Sequence, residues 1–272
     1  MNGSRMGGAW LVAASMSAAT LGAQAMKTTG AAREGTRFSV RVENVSTLAT
    51  LKLAKGGGLA MPLSPGVWAV HTGGNPMLTP GQLEAGIGLK GLAEAGMVAP
   101  LDESLGRAPG VRSHGVLDKP MMPAAATRSA PGGMGGKAAT AMAPAADGPM
   151  LMPGALMEIM IDALPGDHLS LAFMLGYSND GIVGTGAAGI ALFDARGRPV
   201  SGDVTAVIGL WDAGTEVNEE PGVGRNQGMR QAAASAGDPE RRPVRAMAAA
   251  EFGRSWPPAS RILRVTIKPV KR

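Results

Sequence analysis

Phe38-Ser39-Val40-Arg41-Val42-Glu43-Asn44-Val45 and Ile262-Leu263-Arg264-Val265-Thr266-Ile267-Lys268 stand near the two ends of this 272-residue chain. In both, apolar and polar residues alternate, which is the period of a strand with one face buried. In the second, Leu263, Val265 and Ile267 share a face opposite Arg264, Thr266 and Lys268. Strands at both ends fit a β-sandwich, whose first and last strands often lie side by side. Between them the sequence predicts further strands at Met157 to Asp162, Leu169 to Leu175, Gly189 to Phe193 and Val204 to Leu210. Turn-forming runs separate these: Leu164-Pro165-Gly166-Asp167, Asp194-Ala195-Arg196-Gly197 and Ser201-Gly202-Asp203. Short strands punctuated so closely argue for an antiparallel sandwich rather than a parallel α/β sheet. One short helix is expected around Leu83 to Ala95, weakened by Gly86, Gly88 and Gly91, each costing about 1 kcal/mol relative to Ala.

The rest of the chain divides by composition. Residues 1–25 read as a signal peptide: Arg5 precedes an apolar run from Ala9 to about Ala23, and Ala23-Gln24-Ala25 supplies a small-x-small cleavage pattern. That run is shorter than the roughly 20 apolar residues of a membrane span, and no later stretch suits one either. The expected location is therefore periplasmic or secreted. Residues 26–35 read as a polar tail and 36–272 as one domain. Within it, 107–149 is rich in Gly, Ala, Pro and Met without a period, and is expected to be a flexible insertion; 231–250 is similar in character.

With no cysteine in the chain, disulfides, thiolate zinc sites and cysteine nucleophiles are excluded. The net charge of +5 is scattered and aromatic residues make up only 3%, so nucleic-acid binding has little to stand on. His71, His114 and His168 lack the close spacing of zinc ligands. Gly184-Thr185-Gly186-Ala187-Ala188-Gly189 matches the dinucleotide fingerprint only as a string, because a strand rather than a helix follows it. No nucleophile elbow or Walker loop occurs. Trp68 and Trp211 are expected to be core anchors.

Asp203-Val204-Thr205, then Leu210-Trp211-Asp212-Ala213-Gly214-Thr215-Glu216-Val217-Asn218-Glu219-Glu220-Pro221-Gly222, form the most distinctive segment. This segment resembles the spondin N-terminal domain family, the Asp-Ala-Gly-Thr-acid core being the most specific element. Further matches follow in order: the Phe38 strand, Pro62-Leu63-Ser64-Pro65-Gly66-Val67-Trp68-Ala69-Val70-His71, Gly91-Leu92-Ala93-Glu94-Ala95-Gly96, Ser178-Asn179-Asp180-Gly181, Leu192-Phe193-Asp194 and the last strand. The resemblance spans roughly 38–269. It implies a C2-like antiparallel sandwich that binds one calcium ion through acidic loops, with Asp180, Asp212 and Glu216 as ligands. Animal members of that family usually carry Asp where this chain has Glu216, and cysteines that it lacks.

Calcium takes six to eight oxygen ligands in an adaptable shell. Asp212 and Glu216 flank a turn in which Gly214 permits a tight reversal. Read without the resemblance, the two are an acidic turn, and Asp180 belongs to an ordinary Asn-Asp-Gly turn. The leading expectation is a calcium-binding, non-enzymatic adhesion module for an extracellular or cell-surface protein or glycan. The alternatives are a metal-dependent hydrolase using the same loops and a calcium-dependent binder of membrane surfaces.

Overall fold

The computed structural model describes residues 35–123, 146–247 and 256–271. The expected leader, nearly all of the tail after it, and 124–145 of the expected insertion lie outside the described residues. The described chain forms antiparallel sheets in a sandwich-like all-β fold, with two short helices.

The two end strands pair with each other. β1 (Thr36–Asn44) runs antiparallel to β13 (Leu263–Val270), Val42 opposite Val265, and to β6 (Leu156–Ala163) on its other side. β10 (Gly202–Asp203) completes this four-stranded sheet beyond β13. Alternation decides which face is buried: Phe38, Val40 and Val42 of β1 and Leu263, Val265 and Ile267 of β13 point inward, fully buried. Arg37, on the other face, reaches Asp162 across β6 at 2.9 Å.

The second sheet has the order β12 (Arg245–Ala246), β11 (Ile208–Asp212), β8 (Gly181–Thr185), β7 (His168–Leu175), β4 (Leu63–His71) and β5 (Val111–Leu117), with β9 (Ile190–Ala191) also on β7. A hairpin of β2 (Leu51–Lys52) and β3 (Gly58–Leu59) stands apart as a third sheet. Leu169, Leu171, Phe173 and Val183 meet the inner face of the first sheet in one core, where Phe38 also meets Phe193 edge-on at 5.5 Å. Burying each such side chain stabilises by about 1.5–3 kcal/mol.

The other face of the second sheet is covered too. Helices α1 (Leu89–Ala95) and α2 (Ala99–Leu105) press Leu89, Leu92, Leu101 and Leu105 onto Val67, Ala69, Ala172 and Ile182. There are therefore two helices where one was expected, and the first starts late because Gly86 and Gly88 both take positive φ. The stretch expected to be flexible from 107 onward begins inside the fold, since β5 pairs with β4 from Val111 to Leu117. Val204 to Leu210, expected as a strand, opens with a 3-10 turn at Thr205–Val207 before β11. Gly189 to Phe193 shrinks to the two-residue β9. Trp68 and Trp211 pack against the two cores half-buried.

Candidate acidic site at the loop end

The register of β8 against β11 sets the first contact, because Asp212 pairs with Gly181. Asp180, one residue before β8, is thereby brought beside Ala213, whose N–H donates to the Asp180 carbonyl at 3.1 Å. The turn leading to it is held by Ser178, whose hydroxyl donates to Leu175 O at 2.8 Å and accepts from Gly181 N at 3.0 Å. That occupied, buried hydroxyl is not poised as a nucleophile.

After β11 the chain reverses at Gly214, with φ of 70°. A Cβ there would sit 2.2 Å from the Arg242 carbonyl oxygen, so both the backbone angle and the close approach require glycine. Asp212 Oδ1 accepts from Gly214 N at 2.8 Å and stabilises the turn. The reversal directs the N–H groups of Thr215 and Glu216 onto Asp180 Oδ2 at 2.7 and 3.2 Å.

A strap formed by residues 237–247 lies along this turn. Val217 N donates to Asp238 O, Glu240 N to Thr215 O and Arg242 N to Gly214 O, at 2.8 to 3.0 Å. The strap carries Arg245, whose Nη2 bridges Asp212 Oδ2 at 2.6 Å and Glu240 Oε1 at 3.0 Å. It also carries Gly237, whose N–H donates to Glu216 Oε1 at 2.6 Å. This part of the stretch 231–250, read in the sequence as structureless, thus closes the acidic end.

The three expected ligands are distributed over two sets of partners. Asp180 and Asp212 share one neighbourhood: burial lifts Asp180 to about 7, and the Asp212 charge adds to the rise against the two backbone donors. Asp212 is raised by burial and held back by Asn218 and Arg245. Glu216 faces other groups. Burial raises it to about 7, followed by the charge of Glu94. Asn179 and Lys90 temper the rise, while Asn179 Nδ2 gives its own hydrogen bond to Glu219 Oε2 at 3.2 Å.

Asp180 and Glu216 are almost wholly inaccessible, and each keeps one oxygen, Asp180 Oδ1 and Glu216 Oε2, with no hydrogen-bond partner. Such oxygens suit a hard cation or a proton, since an isolated buried carboxylate costs several kcal/mol. Asp212 is differently placed, both its oxygens being engaged. Among the described residues no three His, Cys, Asp or Glu side chains converge as a ready-made metal cage.

Glu94, Arg245, Glu240 and Gln231 were not singled out in the sequence. Glu94 alone left a readable trace, as a carboxylate on the apolar face of a helix, buried beside Leu92, Ala93 and Ala95. The histidines, distant in sequence, are not distant in space: His71 pairs with His168 across β4 and β7, and their rings stack at 6.1 Å. His71 Nε2 meets Ser170 Oγ at 2.8 Å in the interior, and burial and His168 pull its pKa below the ordinary imidazole value. His114, on β5, meets Asp102 of α2 at 2.7 Å.

No protein-family model matches the chain, and no curated protein matches it. The class defined by the coordinates is an all-β, sandwich-like domain with a buried acidic centre at one loop end. Among the described residues, no helix is long and apolar enough to cross a membrane.

Proposed function

We propose that this chain is a calcium-binding β-sandwich module that acts by adhesion rather than catalysis, outside the cytoplasm, on a protein or glycan surface. The observation that carries this reading is the unpartnered, fully buried Oδ1 of Asp180, set beside Asp212 on loops from different strands. A divalent ion would favour the ionised form of both carboxylates, reversing the cost of burying them. Asp180 offers an open oxygen directly. Asp212 joins the shell by exchanging Arg245 for the ion. Glu216, which the spondin resemblance puts in the same shell, reaches it only by leaving Gly237. Bound calcium would lock the 176–180 and 213–218 loops together and fix the shape of that end as a recognition surface.

Differential scanning of EDTA-treated protein tests the reading. Calcium at a hundredfold excess over Kd should add about 2.7 kcal/mol per site, and Asp180→Asn should remove that gain. An unchanged melting temperature at millimolar calcium rules the reading out. Hydrolysis by a metal-activated water is the weaker proposal, since the described hydrogen-bond partners of Asp180 and Asp212 include no imidazole to serve as general base. Membrane-surface binding has no particular observation in its favour.

A further inference from the structure

The end of the second sheet opposite the acidic centre carries its own titratable pair. His71 closes β4 and His168 opens β7, directly across from it, with the rings stacked at 6.1 Å and 22°. His71 has no exposed surface, and its Nε2 meets Ser170 Oγ at 2.8 Å. The Nδ1 atoms of both rings are buried without a hydrogen-bond partner.

A thin cover encloses this pair. Gly189, at φ 70°, lies so close that a Cβ there would stand 3.0 Å from Ser170 Oγ and 3.1 Å from His71 Nε2. Gly189 ends a turn in which its N–H donates to Gly186 O at 3.1 Å, and β9 then pairs with β7 over two residues. Asn75 holds the turn from outside, its N–H on Ala187 O at 2.7 Å and its Nδ2 on Gly186 O at 3.1 Å. Residues 186–191 bring no titratable side chain to the rings.

The charged groups facing His71 are few, and none is free to balance a cation. Asp167, buried just before β7, gives Oδ1 to Arg112 Nε of β5 at 2.6 Å and Oδ2 to the Leu164 N–H at 2.8 Å. Arg112 is itself a cation. His168, when protonated, is a like charge stacked on the first ring. An imidazolium at His71 would therefore sit enclosed, and charges of that kind are costly without a partner. Burial, then His168, pulls the His71 pKa below the ordinary imidazole value, against the Asp167 charge and the backbone of Thr72 and Gly73.

We propose that the His71–His168 pair is an acid-sensitive latch, and that protonating His71 opens the 186–191 segment while the rest of the sandwich stays folded. Water must reach the charged ring, and the glycine turn and two-residue β9 are the lightest elements covering it. The contribution to stability is present above about pH 6.5 and is lost as pH falls from there toward the lowered value. That sign is opposite to the one expected from buried carboxylates, so a local measurement is needed to separate them.

Hydrogen exchange of the full chain, followed by mass spectrometry at pH 7.5 and 5.5 and corrected for intrinsic rates, tests this. Protection of 186–191 in the wild type should fall about tenfold at pH 5.5, while β1 and β13 keep theirs. His71→Gln, which cannot take the charge but keeps a polar group for Ser170, should hold its protection at both pH values. Equal wild-type protection at both pH values, a fall that persists in His71→Gln, or a fall spread equally over β1 and β13 would each overturn the latch. Should His71→Gln fail to fold, an NMR titration of the wild-type His71 ring decides. A midpoint below that of a free imidazole, coincident with the loss of protection, supports the latch, and an ordinary midpoint overturns it.

Discussion

Two buried polar centres in this sandwich are resolved in opposite ways. At the end of β1, Asn44 Nδ2 donates to the carbonyls of Met61 and Leu151, both at 2.8 Å, while its Oδ1 accepts from the N–H and hydroxyl of Ser46. Ser46 Oγ in turn accepts from Met61 N at 3.0 Å. The network is neutral and closed, and it pins β1 to the segments before β4 and β6. At the acidic loop end, backbone donors satisfy one oxygen of Asp180 and one of Glu216 and leave the other bare. A closed neutral network specifies a fold without outside help. An open, anionic one makes the local structure depend on whatever supplies positive charge.

Breaking the closed centre should have the largest effect. Asn44→Ala removes both Nδ2 hydrogen bonds and the acceptor of Ser46, leaving the carbonyls of Met61 and Leu151 with one donor each, Ser46 Oγ and Leu63 N, and should cost about 2–3 kcal/mol. Chemical denaturation should show that loss unchanged by calcium or by pH between 5 and 8. Next comes Gly214→Ala. The new Cβ meets the Arg242 carbonyl in a left-handed turn, and the strain alone is about 1–2 kcal/mol. Loosening of the strap should then also weaken calcium binding, read in the same scans.

The open centre should respond to pH where the closed one does not. In metal-free protein, Asp180 and Glu216 hold protons up to about 7 that the unfolded chain releases from about 4 upward. Stability present below pH 4 is therefore lost as pH rises toward 7, on the order of 1 kcal/mol per unit for each of the two acids in the steepest part. Saturating calcium should flatten this slope, because the ion stabilises the ionised acids. Smallest is Asp180→Asn at pH 8 without metal. It removes a buried charge facing Asp212 while an amide oxygen can still accept from Thr215 and Glu216, so stability should rise by up to about 1 kcal/mol. A fall of that size would mean that Asp180 is paid for by contacts other than those described.

The same contrast marks what the sequence made legible. β1, β6, β7 and β13 could be read directly, the first and last because only one face of their sheet is buried and side chains alternate. β4 hid behind Pro65 and Gly66, which discourage a strand assignment. The register shift between Leu63 and Gly66 accommodates them, and Gly66 leaves room for the Phe173 ring. β8, Gly-Ile-Val-Gly-Thr, is buried throughout and so shows no alternation. α2 was marked by Pro100 near its start and by Leu101 and Leu105 one turn apart, but it lies next to a stretch of biased composition.

At the acidic end, Asp180 and Asp212 were expected together only through the spondin resemblance, because β8, whose pairing with β11 joins them, was not read from the sequence. The partners of Glu216 were not legible. Glu94 is 122 residues away in sequence, and only the packing of a helix onto the sheet brings its charge to bear on Glu216. Nor could the sequence announce Arg245, one of three arginines in 241–245, whose importance comes from the strap that seats it on Asp212.

The most direct test is a crystal grown in calcium and examined by anomalous scattering. An ion about 2.3–2.6 Å from Asp180 Oδ1, with further oxygen ligands around it, is the predicted result. An Asp180 carboxyl that remains buried with Oδ1 bare, and no anomalous peak at the loop end at millimolar calcium, would contradict it.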